Sequence, residues 1–386
     1  METSVTAHRQ RYLFIDLFRT GIILLMLEGH IARSLLPQES QQSTWFMIHE
    51  FIHGLSAPAF LFGAGLTFVI STRKRWEEYH HWDRPLAGRL GRVTLVLLLG
   101  LALHLPYFSM QKIITQGTTA DYLQLFQADV LACIGIGLLA LHAFLFFFKT
   151  EQRFYILVSV TGLVVCFLTP YVWDTDFLRY LPIPIAQLFN SQHGSPFPLF
   201  PYIGFLFAGT IVSWEYISAV QEHREQRLVR SLLMIGAGFI ALGLILDAIP
   251  FQIYPTYNFW YTSPNYFLIR VGSLILLMCF FLYLETIWKK PHPVTTVIGR
   301  ESLFVYVLHL PLIYGSVINP GWSLNNITGS DPGPAGIIGT FIGFTIAMLA
   351  VAQTWNWLKE KENYLYWLVK FGGAAIFLHY FFMKPF

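Results

Sequence analysis

FQADVLACIGIGLLALHAFLFFF, residues 126–148, carries one charged side chain, Asp129, in 23 residues. As a helix at about 1.5 Å per residue it runs roughly 34 Å, enough to cross a hydrocarbon core of about 30 Å. Segments of the same kind lie at 13–32, 54–72, 90–108, 153–173, 198–216, 230–250, 266–287, 301–319, 335–355 and 369–385. The pattern predicts an all-α, polytopic membrane helical bundle of about 11 helices, with ten spans and an interfacial tail as the alternative, because the last segment is short. Composition agrees: of 386 residues 55% are hydrophobic and only 12% charged, and the mean hydropathy is +0.52. Soluble chains carry roughly a quarter charged residues, so an ordinary soluble domain, a disordered chain and a nucleic-acid binder are excluded.

The charges orient the bundle. With the N-terminus cytoplasmic, 19 Lys and Arg fall on inner loops and flanks, from Arg9 and Arg11 to Lys370, and 4 on the outer side: Arg33, Lys112, Arg179 and Lys384. That asymmetry follows the positive-inside rule. The longest gaps between spans, 174–197 and 33–53, leave no soluble domain, so residues 1–386 are expected to form a single membrane unit. The first apolar stretch contains Asp16, Arg19 and Glu28, unlike a cleavable signal peptide, and is expected to stay as the first span. Cys133, Cys166 and Cys279 lie inside apolar runs without metal-ligand spacing and read as free core thiols.

An ionisable group inside a span costs about 2.5–3.5 kcal/mol on insertion scales, so it faces protein, a partner or water. Near the expected outer ends lie Glu28, His30, His104, Asp129, Asp247 and Arg270, with His49 and His53 just before the second span. Six such groups from five spans at one depth point to a shared polar cavity, although each alone could simply satisfy a neighbouring helix. In that set His30 has the chemistry of an acid or base, Glu28 and Asp129 could orient it, and Arg270 could hold an anion or developing oxyanion. Near the inner ends Asp16 and Arg19, spaced i, i+3, could form an ion pair, or Arg19 could meet a phosphate. His142 and His309 sit at intermediate depth.

The run Arg73-Lys74-Arg75, followed by Arg84, Arg89 and Arg92, reads first as a topology determinant in contact with lipid headgroups. Its second reading is a dock for an anionic ligand such as a nucleotide-bearing cofactor. Gly63 and Gly65 lack the strand that a dinucleotide loop needs and read as close helix packing. Pro196, Pro198 and Pro201 mark a helix start. There is no Walker loop, nucleophile elbow, HExxH or EF-hand loop in the spans, and no metal is expected.

Several stretches, in order, carry a resemblance: RYLFIDLFR (11–19) with MLEGH (26–30), APAFLFGAG (57–65), ADVLACIG (128–135), FPLFP (197–201) and GRESLFVYVLH (299–309). From about 11 to 315 the chain resembles the heparan-alpha-glucosaminide N-acetyltransferase catalytic-domain family, within a broader group of transmembrane acyltransferases. The resemblance implies transfer of an acetyl or acyl group from cytosolic acetyl-CoA or another acyl-CoA to an acceptor, often a sugar or glycan, on the far side. His30 falls where the lysosomal enzymes look to have Asn and related acyltransferases His. Gln41 falls where the lysosomal type has a second His, and Gln is no base, so His30, or His49 or His53, would have to substitute. Thr20 stands where the family pattern has Gly after Arg.

On this resemblance His30 is expected to deprotonate the acceptor, Arg270 to stabilise the oxyanion, and Glu28 and Asp129 to orient His30. Arg19, Arg73, Lys74 and Arg75 are expected to meet the coenzyme phosphates. Two other readings stay open: a transporter or flippase using Asp16, Asp129, Asp247 and His309, for which no internal repeat is evident, and an inactive scaffold, which Gln41 would favour. Besides the lipid bilayer and the acceptor, a homodimer is compatible with the pattern and nucleic acid is not. The bacterial cytoplasmic membrane is the expected location.

Overall fold

The computed structural model describes residues 12–383 except 252, 291, 292, 317, 318, 320, 330, 362 and 363; Arg9, Arg11 and Lys384 of the charge pattern therefore lie outside the described residues. The described residues form helices α1 Leu13–Leu35, α2 Thr44–His53, α3 Ser56–Thr72, α4 Arg84–Leu103, α5 Met110–Gln116, α6 Thr119–Leu125, α7 Val130–Phe147, α8 Glu151–Trp173 and α9 Ile183–Ala186. The second half continues with α10 Leu199–Gln221, α11 Glu225–Ala248, α12 Pro264–Ile287, α13 Pro293–Arg300, α14 Ser302–Tyr314, α15 Leu324–Thr328, α16 Gly333–Glu360 and α17 Tyr364–Met383. No strand occurs among the described residues.

Nine of these helical segments are long and apolar enough to cross a membrane, or ten if the bent pair α13–α14 counts as one, so the protein is a polytopic helical membrane bundle. The 23-residue α1 fails that composition test because every 18-residue window in it holds at least three charged residues. Its position explains why those charges are tolerated: α1 packs on α2, α3, α12, α13, α14 and α16, so its polar groups face protein. Counting α1, the helices match the eleven segments read from hydropathy, including the last, α17, which is a full 20-residue helix.

Most spans differ from the expected bounds by up to about five residues at an end, and two differ in a way that matters here. The third begins at Arg84, with Pro85 in its first turn, and ends at Leu103 rather than 108, because Pro106 cannot continue a helix and Tyr107 and Phe108 turn the chain at φ 57° and 53°. The ninth is not one straight helix: α13 and α14 meet at 74°. The break falls at Glu301, a buried carboxylate outside helical geometry (φ −96°, ψ 27°) whose oxygens accept hydrogen bonds from Lys359 Nζ at 2.8 and 2.9 Å. Glu301 is buried and Lys359 reaches it from the exposed face of α16, so the carboxylate at the break is paired.

The bundle is densest where α3 crosses α10. A Cβ on Gly65 would lie 2.1 Å from the Leu206 carbonyl oxygen, and one on Gly209 2.1 Å from that of Phe62. These two glycines let the backbones touch, the small-residue packing that membrane helices use in place of a hydrophobic driving force. Ser213 donates to the Leu66 carbonyl at 2.9 Å across the same seam. At its lower end Arg73 donates to the Trp214 carbonyl (3.2 Å), to Ser218 (2.8 Å) and to Glu151 (3.3 Å), with its guanidinium 4.4 Å from the Trp214 ring. By contrast α4, α11, α16 and α17 turn mostly outward.

Candidate active site

Three helices bring imidazoles together at one end of the bundle. His30, about a turn and a half from the end of α1, has the ring of His309 (α14) centred 5.0 Å away and that of His53 (α2) 5.9 Å away. His53 in turn stacks on His49 at 6.1 Å and an interplanar angle of 9°. The approach of His53 depends on Gly29, where a Cβ would lie 1.7 Å from the imidazole Nδ1. With no side chain in the way, His53 Nδ1–H reaches the Leu25 carbonyl at 3.4 Å.

His30 is held by Tyr314, the last residue of α14. The Tyr314 hydroxyl lies 3.0 Å from His30 Nδ1 and 3.4 Å from the His30 carbonyl oxygen. In the tautomer whose Nδ1–H donates to that hydroxyl, the hydroxyl donates to the carbonyl and the lone pair is on Nε2, as a general base requires. Tyr314→Phe removes the clamp without changing the ring. It is expected to lower turnover about tenfold with little change in the Michaelis constant for the donor, which steady-state kinetics of the purified variant will test.

At the opposite end a cavity of about 430 Å³ opens between α1, α3, α4, α7 and α14. Arg19, Arg75, Arg89 and Arg92 all line it. Each is held differently: Arg89 donates to Thr72 (2.9 Å) and the Ser71 carbonyl (2.6 Å), Arg75 Nε to Glu78 (2.8 Å), Arg92 to the Gly88 carbonyl (3.2 Å) and Arg19 to Thr67 (3.4 Å). Tyr79 lies beneath two of the guanidiniums, 4.6 Å from Arg89 and 6.0 Å from Arg75. Beyond this basic mouth the walls are apolar, and the cavity extends along α3 and α7 to Ala59, Val130 and Tyr306. Tyr306 is where the two ends meet, since its ring centre lies 5.5 Å from that of His309.

Of the residues singled out from sequence, His30, His49, His53 and His309 sit in the imidazole cluster, and Arg19, Arg75, Arg89, Arg92 and His142 line the cavity. Others are placed elsewhere. Glu28 does not touch His30; both its oxygens accept from His49 Nε2 at 2.9 Å. Asp129 caps α7 through the Ala132 amide (2.7 Å) and lies 3.5 Å from His104 Nε2, so neither acid orients His30 and Tyr314 takes that place. Arg270 donates to the Gly54 carbonyl and to the Tyr266 hydroxyl (2.5 Å), bracing the α2–α3 elbow beside His53. Arg73 is spent on the α3–α10 seam, and Lys74 is exposed outside the cavity wall. Gln41 closes α1 by donating to the carbonyls of Arg33 (3.1 Å) and Leu36 (2.8 Å).

Tyr314 is the residue against His30 that sequence reading passed over, because an aromatic residue at a span end reads as interface belt. Arg89 and Arg92, which the sequence placed in a possible dock for an anionic ligand, line the cavity. Among the described residues no group of three or more His, Cys, Asp or Glu could hold a metal ion.

Residues 11–245 match the family model described as heparan-alpha-glucosaminide N-acetyltransferase, catalytic. The match includes His30, His53 and all four cavity arginines, and ends before α14, which supplies His309 and Tyr314. No curated protein sequence matches the chain.

Proposed function

Since the chain belongs to the heparan-alpha-glucosaminide N-acetyltransferase catalytic-domain family, a family of membrane acetyltransferases, we propose that it transfers an acetyl or acyl group from acyl-coenzyme A to a sugar or glycan acceptor. The observation that carries this reading is the pairing of two half-sites. A basic-mouthed, apolar-walled cavity runs through the bundle to Tyr306, and an imidazole cluster begins on the other side of that residue.

The cavity suits a coenzyme A thioester. Clustered guanidiniums are the expected counter-charges for its phosphates, Tyr79 gives an aromatic surface beside them, and the apolar walls suit a long neutral arm. Along α1, Arg19 and His30 are eleven residues apart, about 16 Å, so phosphate and thioester must be widely separated in the bound donor, as they are in coenzyme A. The acceptor would enter at the half-exposed His30. There Nε2 takes the proton from its hydroxyl or amine as the new bond to the acyl carbon forms. With the arginine end on the cytoplasmic side, as the Lys and Arg distribution favours, the donor is cytosolic and the acceptor lies across a cell-envelope membrane.

Two of the four groups that a solute pathway would use are instead paired locally, Asp129 with His104 and Asp247 with the Tyr257 hydroxyl. This arrangement favours transfer over transport.

Binding of acetyl-coenzyme A to detergent-purified protein tests the donor half-site. Arg92→Ala and Arg19→Gln are each expected to weaken it about ten- to a hundredfold, the magnitude of a lost charge-assisted contact, while Lys74→Ala changes it less than about twofold. Equal losses for all three would remove the cavity from the account.

A further inference from the structure

Two side chains stand between the cavity and His30, and neither half-site as described uses them. Tyr306 is 9% exposed and lines the cavity, and its hydroxyl makes no hydrogen bond to another described residue. His309, one turn on along α14, is fully buried. Its Nδ1–H donates to the carbonyls of Tyr306 (2.6 Å) and Val305 (3.3 Å), which fixes the tautomer and leaves the lone pair on Nε2. That Nε2 is buried without a partner. A Leu in place of His309 would leave no buried polar atom unsatisfied, and a Phe in place of Tyr306 would put no hydroxyl at the cavity wall, so the pair calls for a ligand or a proton.

We propose that His309 and Tyr306 return the proton from the acceptor side to the donor side. This rests on the acyl-transfer reading above. As the acceptor O–H or N–H bond breaks, its proton goes to His30 Nε2 and its electron pair forms the bond to the acyl carbon. The C–S bond breaks and its electron pair stays on sulfur. Tyr306 gives its hydroxyl proton to that sulfur, forming the thiol, and recovers a proton from His309, which takes one from His30. Both imidazoles end neutral, and no oxidant or further reactant is needed. The rings at 5.0 Å and 5.5 Å place the three groups in sequence, and the gain is that no thiolate is left in an apolar cavity.

The test is how the loss depends on the leaving thiol. Tyr306→Phe and His309→Gln are each expected to lower turnover of acetyl-coenzyme A about a hundredfold, with binding of acetyl-coenzyme A and thermal melting unchanged. With S-phenyl thioacetate, whose thiol is far more acidic and leaves without a proton, the same variants should fall within about threefold of wild type. The double variant should be no slower than the worse single one, because both lie on one path. Equal losses with both donors, additive losses, or no loss with acetyl-coenzyme A would each overturn the relay. Wild-type protein that turned over neither thioester would overturn the acyl-transfer reading, and the relay with it.

Discussion

His30→Gln is expected to lower acyl transfer by about two to four orders of magnitude, the range that a positioned general base contributes. The loss should fall on turnover alone. His30 lies at the far end of α1 from the arginine mouth, so binding of the donor should survive, and its one side-chain hydrogen bond, to Tyr314, is partly solvent-exposed, so the fold should survive as well. Steady-state transfer to a pool of amino sugars, set beside acetyl-coenzyme A binding and a melting curve on the same sample, separates the three quantities. A variant that retained a tenth of wild-type turnover would remove His30 as the base and leave His53, the neighbouring imidazole, as the residue to examine.

Gly209→Val should have the largest effect on stability. Even a Cβ there would lie 2.1 Å from the Phe62 carbonyl oxygen, against backbone that cannot step aside without parting α3 from α10. That seam also carries Ser213 and the Arg73 contacts, so separating it disturbs several buried hydrogen bonds together. Overpacking of this kind costs typically 1–3 kcal/mol and here should exceed about 3 kcal/mol, because the obstacle is main chain rather than a rotatable side chain. Loss of a monodisperse peak on size-exclusion chromatography is the expected readout. Gly238→Val on α11, where nothing lies within 4 Å of the added Cβ, should behave as wild type.

The helices were legible in sequence because a span needs only a run of apolar residues, a local property. Even the charged first span was recoverable: a bilayer tolerates Asp16, Arg19 and Glu28 in one helix only if protein surrounds it, and α1 is surrounded. The pairing at the Glu301 break was hidden because Lys359, its partner, is 58 residues away. The same limit governs the site. His30 stood out as an ionisable group near the outer end of a span, but Tyr314 meets it from 284 residues away, and nothing local distinguishes that tyrosine from an interfacial one. Within the basic run, Arg73 and Arg75 are two residues apart, yet one fastens α3 to α10 and the other lines the cavity. The chain leaves helical geometry at Arg75 (φ −129°, ψ 32°), and that turn separates their directions.

In the proposed reaction donor and acceptor meet from opposite ends of the bundle, with Tyr306 between the cavity and the imidazoles. Proteoliposomes of one orientation test it most directly, with labelled acetyl-coenzyme A supplied only on the arginine side and a membrane-impermeant amino sugar only on the His30 side. Labelled acetyl-sugar is expected on the His30 side and free thiol on the arginine side, and neither with His30→Gln. Product formed only when both substrates share one side would contradict it.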